Sequence, residues 1–402
     1  MTKPGVYLDN NATTRVDPLV VEAMLPFLTE HFGNPSSMHS FGGQVGGALE
    51  KARQQVQALL GAAHDTEIVF TSCGTESDNT ALLGALEAYP KKKEIITSVV
   101  EHPAILSLCD YLEAKRGIKI HRIPVDSRGD LDMEAYKEAL SENVAIVSIM
   151  WANNETGTLF PVEKLASMAK AAGALFHTDA VQAVGKIPMN LAETDIDFLS
   201  LSGHKLHAPK GVGALYCRRG ARYRPMMRGG HQERNRRAGT ENAPGIIALG
   251  KACELALQHM EDENTRVKAL RDKLEAAIIK AVPRCFVTGN PLHRLPNTAN
   301  IAFEYIEGEA ILLLLNEEGI AASSGSACTS GSLEPSHVMR AMGVPYTAAH
   351  GATRFSLSRE TTEAEVDHVI KVVPGIIERL RALSPYWGKD GAEEKTFEPV
   401  YS

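Results

Sequence analysis

Two nucleophiles, Lys205 and Cys328, are set apart by their surroundings in this sequence. Lys205 belongs to GHKLHAPKG, residues 203–211, and directly follows the apolar run DFLSLS, residues 197–202. A lysine at the end of a buried strand is partly desolvated, which lowers its pKa and suits an amine that must form an imine with a carbonyl compound. Lys210, just before GVGALY, is a competing candidate, but it reads as part of a turn into the next strand. Cys328 stands in ASSGSACTSGSLEPSH, residues 322–337, where Ser, Gly, Ala and Thr dominate and no apolar period is visible. That composition predicts a mobile loop. Taken singly, each has a plainer reading: a surface lysine at a strand end, and an incidental thiol.

Four more loops carry polar groups directly after apolar runs. EIVFTS leads into CGTESDN, residues 73–79, where Gly74 and Thr75 open a helix whose free N–H groups suit a phosphate. The plainer reading is a helix cap by Thr75, with Glu76 or Asp78 near the positive end of the dipole. ITSVV leads into EHPAI and His102, VSIMW into ANNETG and Asn154, and ALFHT into DAVQ with Asp179 and Gln182. A carboxylate where a buried strand stops needs a cationic partner. None of these signals is specific by itself. Together they supply a Schiff-base lysine, an acid for a pyridinium nitrogen, a phosphate cradle and a ring-stacking group, the parts of a pyridoxal phosphate site.

The elements that must position these residues follow from periodicity. Between about 15 and 255, short apolar runs (67–70, 94–99, 144–151, 174–180, 197–202) alternate with amphipathic segments (75–88, 103–116, 132–141, 161–172). That alternation predicts an α/β fold with a mostly parallel, buried sheet, and in such sheets ligands sit at the carboxyl ends of the strands. A helical pattern over 243–282, with no Pro after Pro244 at its start, reads as a bridge. After it come a strand (298–303), a helix (308–319), the Cys328 loop, a short helix (335–342), a strand (352–358) and a last helix (361–383). The expectation is a large cofactor-binding domain over 15–255 and a small α+β domain built from 1–14 and 256–402. The tail from 384 lacks periodicity and reads as loosely held.

The chain has 402 residues, 44% hydrophobic and 23% charged, with net charge −7. It is long enough for more than one core, and its charge gives no reason to expect nucleic acid or an anionic membrane. The start MTKPGVYLDNNATT has no signal-peptide pattern, and no run of apolar residues is long enough to span a bilayer. A cytoplasmic protein is the expectation. The six cysteines show neither a C-x-x-C pair nor zinc-type spacing, and Cys109, Cys217, Cys253 and Cys285 read as packing residues. A thiol- or metal-binding protein, the non-enzyme alternative, finds no ligand spacing to support it.

Ten ordered strings then show a family resemblance: YLDNNATT, GNPSSMHS, CGTESDN, VEHPA, NNETG, HTDAVQ, SGHKLHAPKG, RRAGTEN, SSGSACTSGSLEPSHV and RFSLSR. Over nearly its whole length the chain resembles the pyridoxal-phosphate-dependent cysteine desulfurases, fold type I enzymes with a seven-stranded sheet in the large domain. MWANNETGTLFP, RGGHQER and LSPYW make it most similar to the nitrogen-fixation (NifS) type. The housekeeping IscS type shares most of these strings.

The resemblance implies the following roles. Lys205 holds the cofactor, Asp179 pairs with the pyridine nitrogen, Gln182 bonds the ring oxygen and His102 stacks on the ring. Gly74, Thr75, Ser202 and His204 hold the phosphate, joined by Thr240 from the neighbouring subunit, so the homodimer shares its active sites. Arg354 binds the carboxylate of L-cysteine with help from Asn154. Lys205 moves the Cα proton, His102 serves proton traffic at the substrate thiol, and Cys328 takes the sulfur as a persulfide, releasing L-alanine. The sulfur then passes to a NifU-like iron–sulfur scaffold for nitrogenase maturation, and Cys328 is the one candidate for a transient iron–sulfur ligand. Alternatives on the same scaffold are an IscS-type desulfurase, a selenocysteine lyase and an aminotransferase, which has no need of Cys328.

Overall fold

The structure, a computed structural model, describes residues 5–324 and 334–387. Cys328 and the centre of its loop lie outside the described residues, as does the tail beyond 387. The central sheet has seven strands: β1 (Ile68–Thr71), β2 (Glu94–Ser98), β3 (Lys119–Ile123), β4 (Val144–Ser148), β5 (Leu175–Asp179), β6 (Phe198–Ser202) and β7 (Gly213–Cys217). Their spatial order is β1-β7-β6-β5-β4-β2-β3. Only β7 runs against its neighbours; the other pairings are parallel. Every residue of β4 and β6 is buried, because helices cover both faces of the sheet and no strand face meets water.

The covering helices form where the apolar period approaches 3.6. Val162–Ala171 buries Val162, Leu165, Ala166 and Ala169 against the sheet and leaves Glu163 and Lys164 outside. Ser40–Leu60 buries Val45, Leu49, Ala52 and Val56 and packs on Ala243–Gln258. A Cβ on Gly250 would lie 2.6 Å from the Cα of Ala52, so these two helices approach closely only because that side chain is missing.

One expectation is corrected, and one strand stands where no element was expected. The pattern over 243–282 is not one regular helix: the first segment ends at His259, and Glu263–Val267 form a π-turn before Lys268–Ala281 resumes. The π-turn turns Glu263 inward, where it is buried, although its charge would suit an outer face. Strand β3, KIHRI, was hidden because three of its five residues are basic, which a strand at the sheet edge tolerates.

A second, antiparallel sheet orders Ser323–Ser324, Ala352–Ser356, Thr298–Phe303 and Cys285–Val287 side by side. Val6–Tyr7 pairs in parallel with Ile320–Ala321, and Asp9 bridges to Ser356. Val6, Leu8, Leu274, Ile301, Phe303, Phe355 and Val369 share one core there, whereas Val338, Met339 and Met342 pack into the core of the seven-stranded sheet. Cys109, Cys217 and Cys253 are buried, and burial pushes each thiol up to about 12. Cys285 is only half-buried, on an edge strand. No described helix is long and apolar enough to cross a membrane.

Candidate active site

The carboxyl ends of β1, β2, β4, β5 and β6 open onto one cavity of about 730 Å³, whose lining includes Gly74, His102, Asn154, Asp179, Gln182 and Lys205. Thr75, Ser202, His204 and Arg354 line it too, so all but one of the candidates within the described residues meet there. The exception is Thr240, which is exposed and absent from the cavity wall. Its loop is tied to the cavity rim by Arg237, whose Nε lies 2.8 Å from Glu76 Oε1.

Lys205 follows β6 by a single 3₁₀ turn, Gly203–Lys205. Its Nζ donates to the carbonyl oxygens of Asn11 and Ala12, at 2.6 and 2.7 Å. Burial and the positive charge of Arg354 bring its pKa down to about 8, against the pull of Asp9 and Asp179. Asp179, the last residue of β5, is buried and takes a hydrogen bond from Val181 N at 2.9 Å. Burial raises its carboxyl pKa.

His102 caps the helix Pro103–Arg116: its Nδ1 accepts from Ala104 N at 3.1 Å, which leaves the proton of a neutral ring on Nε2. Its surface opens to the cavity, while the protein packed around it, and then Lys205, lower its pKa against the pull of Asp179. Arg354 is buried; Nη1 donates to Asn154 O at 2.9 Å and Nη2 pairs with Asp9 at 2.8 Å. Its Nε is buried without a hydrogen-bond partner.

Comparison with known proteins decides the family. The family model of class-V aminotransferases matches residues 6–369. The chain is 70% identical over 399 residues to the cysteine desulfurase NifS of Azotobacter vinelandii, covering 98% of this chain and 99% of that one. It is 68% identical to a cysteine desulfurase of Gluconacetobacter diazotrophicus, over 99% of this chain and all of the other. A solved NifS-like protein superposes with a TM-score of 0.88 at 40% identity, over 94% of this chain. The chain belongs to the cysteine desulfurases. This desulfurase family lies within the class-V aminotransferases and depends on pyridoxal phosphate.

The residues present fit that cofactor. The buried Asp179 carboxylate ends where a protonated ring nitrogen would supply the positive charge it lacks. The helix Gly74–Ala88 starts without a side-chain cap, leaving its first N–H groups for an anion. At Gly74 a Cβ would meet Val181 Cγ2 at 2.8 Å, so only glycine lets the backbone sit this close to the cavity wall.

Several residues that shape the site were not assigned to it from the sequence. Asp78, buried behind Asp179, has a carboxyl pKa raised by burial and by Asp179; its Oδ1 has no hydrogen bond and lies 3.5 Å from His177 Nε2. His177 sits between Ser148 and Ser200, both at 2.9 Å, and burial brings it down to about 3, so it is neutral. Glu101 accepts from Ser98 Oγ and Met150 N and thereby ties the His102 loop to the loop after β4. Glu155 accepts from Ser336 Oγ at 2.6 Å, anchoring the chain just after the Cys328 loop. The strings around Asp9, Asn11, Asp78, Glu101, Glu155, His177 and Ser336 were visible in the sequence, but most of their pairings join residues far apart along it.

Proposed function

We propose that the chain converts L-cysteine to L-alanine and leaves the sulfur as a persulfide on Cys328, for delivery to an iron–sulfur scaffold in nitrogenase maturation. The observation that carries this reading is the convergence of Lys205, Asp179, His102, Gln182 and Arg354 on one cavity at the carboxyl ends of the sheet.

Bound there, pyridoxal phosphate supplies an electron sink for the pair left on the substrate's Cα. Asp179 would hold the ring-nitrogen proton, Gln182 would donate to the ring oxygen, and His102 would stack on the ring. The first N–H groups of the helix at Gly74 and Thr75, with Ser202 and His204, would hold the phosphate. Arg354, immobilised by Asp9 and the Asn154 carbonyl, binds the substrate carboxylate through its remaining N–H groups. Lys205, with its lowered pKa, takes the Cα proton as a neutral amine and returns it. The Cys328 thiolate attacks the substrate sulfur: an S–S bond forms, the C–S bond breaks, and the bonding pair stays with carbon, which takes a proton and leaves as alanine.

A homodimer with shared sites is part of the proposal. Leu25, Leu28, Phe32, Met38 and Phe41 are all large, apolar and exposed within a short N-terminal stretch, a patch suited to a second copy. Thr240, exposed and tied to the phosphate end of the site through Arg237 and Glu76, would reach the partner's cavity. In heterodimers of Lys205→Ala and Thr240→Ala chains one site is then wild type, and activity recovers; recovery would be absent if Thr240 served its own subunit. We further read the chain as a large domain over 15–255 and a small one from 1–14 and 256–402, supported by the separate core around Leu8 and Phe303. The five described cysteines are free thiols, which supports a reducing, cytoplasmic setting.

One incubation with L-cysteine and a reductant tests the activity. Wild type should release equal amounts of alanine and sulfide, and Lys205→Ala neither. Cys328→Ala should make no alanine; full alanine production by that variant would refute the persulfide route.

A further inference from the structure

We propose that Lys186 is a positioning residue that fixes the amide of Gln182 with its N–H side toward the cofactor ring oxygen. The inference rests on the cofactor reading above and concerns a residue outside the 730 Å³ cavity.

Lys186 is buried, and its Nζ donates to Gln182 Oε1 at 3.1 Å. On the other side, Gln182 Nε2 donates to Asn11 O at 3.0 Å, the same carbonyl that accepts from Lys205 Nζ. A carboxamide looks almost the same in either orientation, and only its partners distinguish oxygen from nitrogen. Here both partners agree. A flipped amide would set its oxygen against the Asn11 carbonyl, losing that hydrogen bond in a buried place, and its NH₂ against Lys186, which as an ammonium has no lone pair to accept it. The orientation so fixed leaves the second Nε2 proton free to face the cavity that Gln182 lines.

Lys186 is itself held. Gly185, at φ +77, makes the turn that precedes it, and Asn264 Nδ2 from the π-turn donates to the Lys186 carbonyl at 2.9 Å. Its amine faces a small cavity of about 20 Å³, room for one water, whose wall includes Glu263, His259, His207, Arg359 and Lys205. Glu263 is buried with one oxygen unpartnered and supplies the opposing charge. Burial brings Lys186 down to about 7; Glu263 pulls the other way, while Lys205 and Arg354 add to the decrease.

The test reads the visible band of the bound cofactor as a function of pH, since its midpoint reports the proton on the cofactor–Lys205 linkage. A hydrogen bond donated to the ring oxygen weakens that oxygen's hold on the proton. Lys186→Met should therefore raise the midpoint by about half a pH unit to one unit, roughly 3- to 10-fold in proton affinity. Lys186→Arg, which keeps a donor, should titrate like wild type. In a Gln182→Ala background, Lys186→Met should add almost nothing. An equal shift in both backgrounds would mean that the lysine acts by its charge alone and would overturn the proposal, as would no shift with Gln182 intact. If Lys186→Met does not fold, Lys186→Gln, too short to reach Gln182 Oε1, is read by the same two outcomes. A wild type lacking any visible band would instead refute the cofactor reading itself.

Discussion

Lys205 Nζ donates to the carbonyl oxygen of Asn11 across 2.6 Å, so the amine is parked on the N-terminal segment and aimed along the cavity wall. A neutral amine is the form that adds to an aldehyde. With the lysine brought down to about 8 by burial and Arg354, the rate of cofactor uptake by apoprotein should rise with pH and level off above about 8 to 9. Stopped-flow growth of the visible band checks this. A rate still climbing at pH 10 would show an ordinary lysine.

Arg354 should set the affinity for substrate. Arg354→Lys loses the fork that fits a carboxylate and should raise KM for L-cysteine roughly 10- to 100-fold, the worth of a charge-assisted hydrogen bond. Asp9→Asn loosens the same guanidinium from 2.8 Å away, and should raise KM less, about tenfold, with kcat nearly unchanged. Steady-state kinetics separates the two constants, and a drop in kcat alone would argue against the role.

Gly74→Ala pushes a methyl to within 2.8 Å of Val181 Cγ2 at the phosphate end of the cavity. Cofactor affinity should fall about tenfold or more while the fold persists, as measured by equilibrium dialysis beside circular dichroism.

Glu155 gives a stability prediction with a definite sign. Burial raises its pKa from 4.5 to about 7, against the hydrogen bond from Ser336 and the charge of Arg354. The folded state thus binds the proton more tightly than the unfolded chain, so this contribution is full below pH 4.5 and is lost as pH rises toward 7. Glu155→Gln removes the loss. Relative to wild type it should gain stability between pH 5 and pH 8, by up to about 3 kcal/mol. Urea midpoints at the two pH values decide it; a constant difference would show that Glu155 titrates normally.

The sheet and most of the site were legible because buried parallel strands read as plain apolar runs and the loops after them are short. Lys205 and His102 each stand three residues past such a run and Asp179 closes one, so their convergence needed only the rule that loops at one sheet edge share a cleft. Glu155 and Asn11 were not assigned because their partners lie far away in sequence, and Lys186, four residues from Gln182, was missed because nothing in the local pattern marks it as buried. The π-turn was hidden for a related reason: one extra residue in a helical turn leaves the apolar spacing almost intact while rotating Glu263 inward. Thr240 was legible only through family resemblance, for it stands apart from the cavity its chain forms.

The pairing of Asp9 with Arg354, and of the segment around Asn10 with Ser356, sets an order of events during synthesis. Asp9 and Asn10 meet these partners only once the strand Ala352–Ser356 has been made, whereas Asn11 and Thr14 already have partners at Gln182, Lys205 and His204. A chain made only as far as the seven-stranded sheet holds Lys205 and its Asn11 partner, yet it has no guanidinium for substrate. An unfinished chain thus carries the reactive amine without the group that would hold its substrate.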